Sequence, residues 1–101
     1  MTQLKKDLKT TLEESLDQAE WNWIAPHAER QAVVVVSQDL NIIEVGIKIA
    51  EDDAKTVQDW IGRELLSKPS PTQVRTWEQN PGKRFSTLVV QPYVLIQEKA
   101  N

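Results

Sequence analysis

The chain has 101 residues, no cysteine and a formal net charge of −3, and these properties exclude several classes of protein. A length of this order fits one domain, and a chain without cysteine has no disulfide, no thiolate metal site and no cysteine nucleophile. Because the net charge is negative, no domain-wide field attracts a polyphosphate, and nucleic acid is a disfavoured partner.

Leucines at every fourth position predict a first helix over residues 2–19. Its apolar stripe consists of Leu4, Leu8, Leu12 and Leu16. Asp17 and Glu20 have the spacing of a capping box, so we expect the helix to break there and to restart through the following tryptophans. Pro26 disfavours helix at the residue before it, and residues 27–30 are expected to form a separate short turn.

Two apolar runs separated by a turn-like segment predict a β-hairpin. The first run, residues 32–37, contains four consecutive valines, and the second, residues 42–49, alternates apolar with more polar positions. Its apolar face consists of Ile43, Val45, Ile47 and Ile49. Since four valines on an exposed edge would invite aggregation, we expect the valine strand to lie inside the sheet.

Two short helices are predicted after the hairpin. Asp52 or Asp53 can cap the first, and Gly62 suits the position just after its end. The second has the clearest local signal in the chain, because Ser70 supplies a hydroxyl cap, proline follows at the first helical position and Gln73 stands at the third. We therefore expect the Ser70 hydroxyl to cap this helix.

A long strand over residues 85–97 is the last predicted element. Pro92 interrupts it and cannot donate to a sheet, which implies an edge or a bulge. The predicted fold is thus α+β, a single domain over residues 1–101 in the order α-β-β-α-α-β. About four helices pack on a short antiparallel sheet formed by the hairpin and this strand.

The titratable residues of the chain do not form a recognisable catalytic pattern. His27 is the only histidine, and no sequence pattern pairs it with a nucleophile, so a structural role is favoured over catalysis. With one histidine and no cysteine, no zinc site is expected. The acids Glu51, Asp52 and Asp53 are interpreted as a helix cap with favourable dipole charges rather than as a magnesium site. No metal and no cofactor are expected.

A cationic pair and four tryptophans supply the remaining candidates. Lys83 and Arg84 follow Gly82 and could hold an anion, but three glycines in the whole chain cannot build a phosphate-binding loop. Tryptophan is favoured at binding hot spots, and Trp21 fits the predicted apolar stripes least well, which makes it the best candidate for an exposed aromatic. The candidate binding residues are Trp21, His27, Arg30, Lys83 and Arg84.

Three stretches of the sequence resemble an uncharacterised bacterial family, domain of unknown function family 2288. They are residues 20–30 with two tryptophans and the run Pro-His-Ala-Glu-Arg, residues 39–53, and residues 90–98. The resemblance covers nearly the whole chain and implies a bacterial, cytoplasmic protein without adding a mechanism. Residues 1–9 contain no apolar stretch, and no segment reaches the roughly 18 apolar residues of a membrane span, so no membrane association is expected.

Our leading hypothesis is a non-enzymatic interaction protein that self-associates, with a homodimer as the expected assembly and room for an unidentified protein partner. Apolar strands are plentiful, two of them are apolar on both sides, and a second copy is an economical cover for the faces that the predicted helices leave open. A twofold contact would also protect an exposed strand edge. An alternative is a small enzyme or ligand-binding protein that uses His27, Arg30 and the carboxylates of residues 51–53.

A third hypothesis, nucleic-acid binding, requires two cationic segments to converge on one face despite the acidic total. They are Lys5, Lys6 and Lys9 in one segment and Lys83 and Arg84 in the other.

Overall fold

A five-stranded sheet lies between two layers of helices. The computed structural model describes residues 3–98, with side chains from residue 8 onward. The elements in chain order are α1 (Gln3–Ser15), β1 (Asp17–Glu20), α2 (Trp21–Glu29), β2 (Val33–Val36), α3 (Ile42–Ala50), α4 (Ala54–Gly62), β3 (Leu66–Ser67), α5 (Pro71–Glu78), β4 (Arg84–Val90) and β5 (Tyr93–Glu98). The predicted α+β class is confirmed, but the order and number of the elements differ from the expectation.

The strand order across the sheet is β1-β4-β5-β2-β3. All neighbouring strands are antiparallel except β2 and β5, which run parallel with Val33 opposite Val94 and Val35 opposite Ile96. The sheet is therefore mixed, and the expectation of a purely antiparallel sheet is wrong. Because β2 lies between β5 and β3, the prediction that the valine strand is internal is confirmed.

The second strand of the predicted hairpin is wrong, since residues 42–50 form the helix α3. The Asn41 side chain caps this helix by accepting hydrogen bonds from the backbone N–H groups of Ile43 at 2.9 Å and Glu44 at 3.3 Å. The apolar residues of this segment fit a helical face as well as they fit an alternating strand. Their β-branched side chains lower helix propensity only slightly, and burial against the sheet outweighs that cost.

The first helix is shorter than predicted. It ends at Ser15, and residues 17–20 form the edge strand β1 instead of continuing the helix. Leu12 is buried and Leu8 packs beside it, whereas Leu16 follows the helix and is exposed; the side chain of Leu4 lies outside the described residues. β1 forms because it pairs with β4, which is a contact that local periodicity does not report.

The expected break before Pro26 is also wrong, because α2 runs from Trp21 to Glu29 with the proline inside it. Pro26 has no N–H to donate to the carbonyl of Asn22, which ordinarily weakens a helix. The buried side chains of Trp21 and Ile24 before the proline, and the partly buried Ala28 after it, pack in the core on this face of the sheet and hold α2 in place on both sides of Pro26.

The predicted final strand is in fact the hairpin of β4 and β5. Gln91 and Pro92 form its turn and are joined by a cis peptide bond. A proline cannot donate to a ladder, so the chain reverses at this point instead of continuing as one interrupted strand. Val90 pairs with Tyr93 beside the turn, and Phe85 pairs with Glu98 at the far end.

The two helices after α3 match the predictions closely. Asp53 caps α4, and Ser70 caps α5 in a reciprocal capping box with Gln73, with Pro71 at the first helical position. Gly62 is the last residue of α4 rather than the residue after it. The sheet gains a two-residue edge strand, β3, that the sequence did not indicate.

Each face of the sheet has its own apolar core. Helices α2 and α5 cover one face, where Trp21, Ile24 and Trp77 pack on Phe85 and Ile96. Helices α1, α3 and α4 cover the other face, and its core includes Leu12, Val45, Leu88, Leu95 and the partly buried Val57. The helices of one chain therefore cover both faces, which removes the reason for expecting a second copy on a sheet face.

Candidate functional site

The outer edge of β1 carries backbone groups that no strand within residues 3–98 pairs. On its inner side, Ala19 opposes Phe85 of β4, and the ladder continues with a hydrogen bond from the Trp21 N–H to the Lys83 carbonyl at 2.9 Å. Directly opposed residues of an antiparallel ladder alternate between hydrogen-bonded and non-bonded pairs. It follows that Ala19 directs its backbone groups toward β4, whereas Gln18 and Glu20 direct theirs away from the sheet.

A side chain already occupies one of these outward groups. The Gln18 N–H donates to Asp17 Oδ1 at 2.8 Å. This contact agrees with the outward direction of the Gln18 N–H, because an N–H that pointed inward would donate to a carbonyl of β4 instead. Self-capping of this kind reduces the tendency of an open edge to pair with other chains.

Shallow grooves flank β1 on both faces of the sheet. The groove on the α2 side has a volume of about 860 Å³ and is lined in part by Trp23, Pro26 and Val89. The groove on the opposite side has a volume of about 600 Å³, and Leu16 and Arg84 lie in its lining. The edge is therefore open above and below as well as to the side.

These grooves contain most of the exposed large apolar side chains of the described region. Trp23 is 50% exposed, Val89 41% and Leu16 39%. Trp23 rests on the ring of His27 with 4.8 Å between the ring centroids. Exposed aromatic and aliphatic side chains beside an unpaired strand edge are typical of a contact surface.

The prediction of an exposed Trp21 is wrong, because its side chain is only 2% exposed. Its ring centroid lies 5.0 Å from that of Trp77 and 6.2 Å from that of Phe85, and its indole Nε1 has no hydrogen-bond partner among the described residues. The exposed tryptophan is instead Trp23, which is 50% exposed. The signal that distinguishes the buried Trp21 from the exposed Trp23 was the helical spacing of Trp21 with Ile24, which places these two side chains on one face.

The five candidate binding residues do not lie together at one site. His27 is half-buried against Trp23, and Arg30 is exposed at the end of α2, about 13 Å along the helix from its first residue. Lys83 lies 3.3 Å from the carboxylate of Glu98, and Arg84 lies opposite Glu20 in the β1–β4 ladder. Lys83 and Arg84 therefore lie near the first residue of α2, next to β1, whereas Arg30 lies at the other end of this helix.

The carboxylates of residues 51–53 lie between α3 and α4, on the face of the sheet opposite α2. Asp53 accepts hydrogen bonds from the Thr56 backbone N–H at 3.2 Å and the Thr56 hydroxyl at 2.9 Å, and these bonds hold the pKa of Asp53 below its ordinary value. The Lys48 Nζ atom lies 3.8 Å from Asp53 Oδ2 and 3.9 Å from Glu51 Oε1. Within residues 3–98, no group of three acids, histidines or cysteines has the arrangement of a metal site.

A further groove of about 480 Å³ lies between α4 and the β2–β3 end of the sheet. It is mainly apolar, and its lining includes Val34, Val57, Ile61 and Tyr93, with Lys68 at its rim. The Lys68 amine donates to the side-chain oxygen of Gln31 at 3.0 Å. His27 and Arg30 are not among the described residues that line this groove, so it does not join the two halves of the alternative enzyme site.

The helices that the structure describes are all too short or too polar to cross a membrane.

Comparison with known proteins identifies the family but no activity. The fold is similar to the NMR solution structure of PA1075 from Pseudomonas aeruginosa, with a TM-score of 0.79 and 28% sequence identity over 100% of this chain and 93% of that chain. No curated protein matches the sequence. The family model described as protein of unknown function DUF2288 matches residues 7–98, and the chain therefore belongs to the DUF2288 family.

Proposed function

We propose that this protein is a small, cytoplasmic, non-enzymatic interaction protein that self-associates as a homodimer through the open edge of β1. The observation that carries the proposal is the position of this edge between two grooves that expose Leu16, Trp23 and Val89. The cytoplasm suits a chain that has no cysteine.

A second copy is the occupant that the edge fits best. An unpaired strand edge is a template for another strand, and a twofold contact lets each chain satisfy the other's outward N–H and C=O groups with the same residues. Closure also leaves no edge at β1 for a third chain. The apolar side chains beside the edge lose their contact with water in the same step.

The arrangement of the candidate residues favours this function over the alternative enzyme. Arg30 and His27 belong to the layer on one face of the sheet, and the carboxylates of residues 51–53 belong to the layer on the other. A reaction needs its groups within hydrogen-bonding reach of one substrate, and the sheet separates these. The β1 edge needs no catalytic group.

Light scattering over a dilution series tests the proposal. We expect a mass of twice 11.6 kDa at tens of micromolar and dissociation on dilution. Trp23→Ser should raise the dissociation constant by about tenfold or more, because it removes an aromatic contact from the interface. Ile61→Ser is the matched control, since Ile61 is also on a helix and is 53% exposed but lies in the distant groove.

A monomer at tens of micromolar would refute self-association. A dimer that Ile61→Ser weakens as much as Trp23→Ser does would place the contact elsewhere on the molecule.

A further inference from the structure

We infer that the two copies meet in one register, with β1 antiparallel to β1 of the partner subunit and Ala19 on the twofold axis. This inference rests on the proposed self-association and adds its geometry. The two sheets would then continue into one another across the axis, so that the dimer has a single sheet with helices on both faces.

The direction of the backbone groups limits the possible registers. Residues that exchange hydrogen bonds across an antiparallel pair oppose each other directly, and on the outer side of β1 these residues are Gln18 and Glu20. A twofold contact can therefore place Gln18 opposite its own copy, Glu20 opposite its own copy, or Gln18 opposite Glu20 of the partner subunit.

Charge and strand length distinguish these registers. A pairing of Glu20 with its own copy puts like charges directly opposite each other, which is destabilising. A pairing of Gln18 with its own copy leaves the outward groups of Glu20 facing Leu16, which lies outside β1. When Gln18 opposes Glu20 of the partner subunit and its N–H leaves Asp17 for the carbonyl of that residue, both residues use all their outward backbone groups. The contact then needs only β1 itself.

Side chains on the groove that contains Arg84 support the same register. Glu20 lies opposite Arg84 of its own chain on one side. On its other side it would meet Gln18 of the partner subunit, whose amide can donate a hydrogen bond. Each carboxylate is thus placed between a cation and a neutral donor, and no acid opposes an acid.

Ala19 gives this register a specific signature. It would form a non-hydrogen-bonded pair with Ala19 of the partner subunit, in which the Cα atoms are about 4.5 Å apart, within the roughly 4.4–6.8 Å that a disulfide spans. Such pairs come close enough for a disulfide, whereas residues displaced by two positions along the strand do not. The described chain has no cysteine that could interfere.

Three single-cysteine variants report the three registers: Ala19→Cys the inferred one, Gln18→Cys the pairing of Gln18 with its copy, and Glu20→Cys the pairing of Glu20 with its copy. Each variant is purified reduced, checked by circular dichroism and light scattering, and oxidised with a glutathione buffer. We expect Ala19→Cys to form a disulfide-linked dimer about tenfold faster than the other two, because only its sulfurs lie within bonding range.

Preferential cross-linking of Gln18→Cys or Glu20→Cys would overturn the register while leaving self-association intact. A wild-type dimer in which all three variants cross-link slowly and equally would overturn the edge contact itself. If the wild-type protein scatters as a monomer, self-association fails, and the inferred register fails with it.

Discussion

Gly46 of α3 lies directly against Leu88 of β4, so that a methyl group on Gly46 would come within 2.7 Å of Leu88 Cδ2. The same methyl group would lie 3.3 Å from Leu12 and 3.4 Å from Val90. Leu88 is fully buried, so its side chain cannot turn into solvent to make room. The absence of a side chain at position 46 is therefore what allows α3 to approach the sheet this closely.

Gly46→Ala should destabilise the protein by about 1–2 kcal/mol, because the cost of overpacking exceeds the gain in helix propensity. Gly62→Ala is the matched control, since Gly62 is also helical but an added methyl group there has no atom of the described region within 4 Å. The control should be stabilised by about 0.5–1 kcal/mol. Urea denaturation measures both, and a Gly46→Ala protein as stable as the control would contradict the close packing.

Ser70→Ala should cost about 1 kcal/mol of stability, because it removes the cap of α5. The Ser70 hydroxyl accepts from the Gln73 N–H at 3.1 Å, and Gln73 Oε1 accepts from the Ser70 N–H at 2.9 Å. Thr72→Ala, in the first turn of the same helix, is the control and should not lower the denaturation midpoint. An unchanged midpoint for Ser70→Ala would show that the capping box does not contribute.

The charge of Asp53 should stabilise the protein at neutral pH and lose this effect in acid. Its pKa is lowered in the folded state by the hydrogen bonds from Thr56, so the folded protein binds the proton less readily than the unfolded chain. The stabilisation is complete well above about pH 4 and disappears as the pH falls through the lowered pKa. Asp53→Asn should therefore be less stable than wild type at pH 7, and the difference should shrink on acidification.

Thermal unfolding between pH 7 and pH 3 measures this difference. Asp39→Asn serves as the control, because the Asp39 carboxylate is exposed and caps no helix. A gap between wild type and Asp53→Asn that stays constant across the range would be inconsistent with a charge effect at this position.

Asp17→Ala should strengthen self-association. The Asp17 carboxylate accepts a hydrogen bond from the Gln18 N–H at 2.8 Å. A partner strand has to displace this carboxylate before the two edges can pair. Removing this competitor should lower the dissociation constant by several-fold, which corresponds to about 1 kcal/mol for one exposed hydrogen bond. Sedimentation over a concentration series measures the change. A weaker dimer in Asp17→Ala would mean that this carboxylate belongs to the contact instead of competing with it.

Elements with a strong local signal could be predicted from the sequence. The caps at Asp53 and Ser70 locate the starts of α4 and α5, because each cap depends on residues only three positions apart. The segment of α3 could not be decided, because its apolar residues fit both helical and strand periods. The cap at Asn41 was the signal that favours a helix, since it satisfies two backbone N–H groups at the start of α3.

Elements defined by distant contacts could not be predicted. β1 has one apolar residue, Ala19, and is a strand only because β4 lies beside it. The candidate site depends on this strand. The sequence predicted that Asp17 and Glu20 form a helix cap, whereas both residues lie on the edge of the sheet. The parallel pairing of β2 with β5 is equally invisible locally, since its partners are far apart in the chain.

That parallel pairing also has a consequence for how the protein folds. Val33 and Val94 are about 60 residues apart in sequence, and β5 forms the centre of the sheet between β4 and β2. The strands of the β4–β5 hairpin are adjacent in the chain, whereas β2 and β5 pair across a long intervening segment, so we expect the hairpin to form before β2 joins it. Closing such a long loop is entropically costly and slows folding. Until β5 is in place, the four valines of β2 remain exposed to other chains, so refolding at high concentration should favour aggregation over the native sheet.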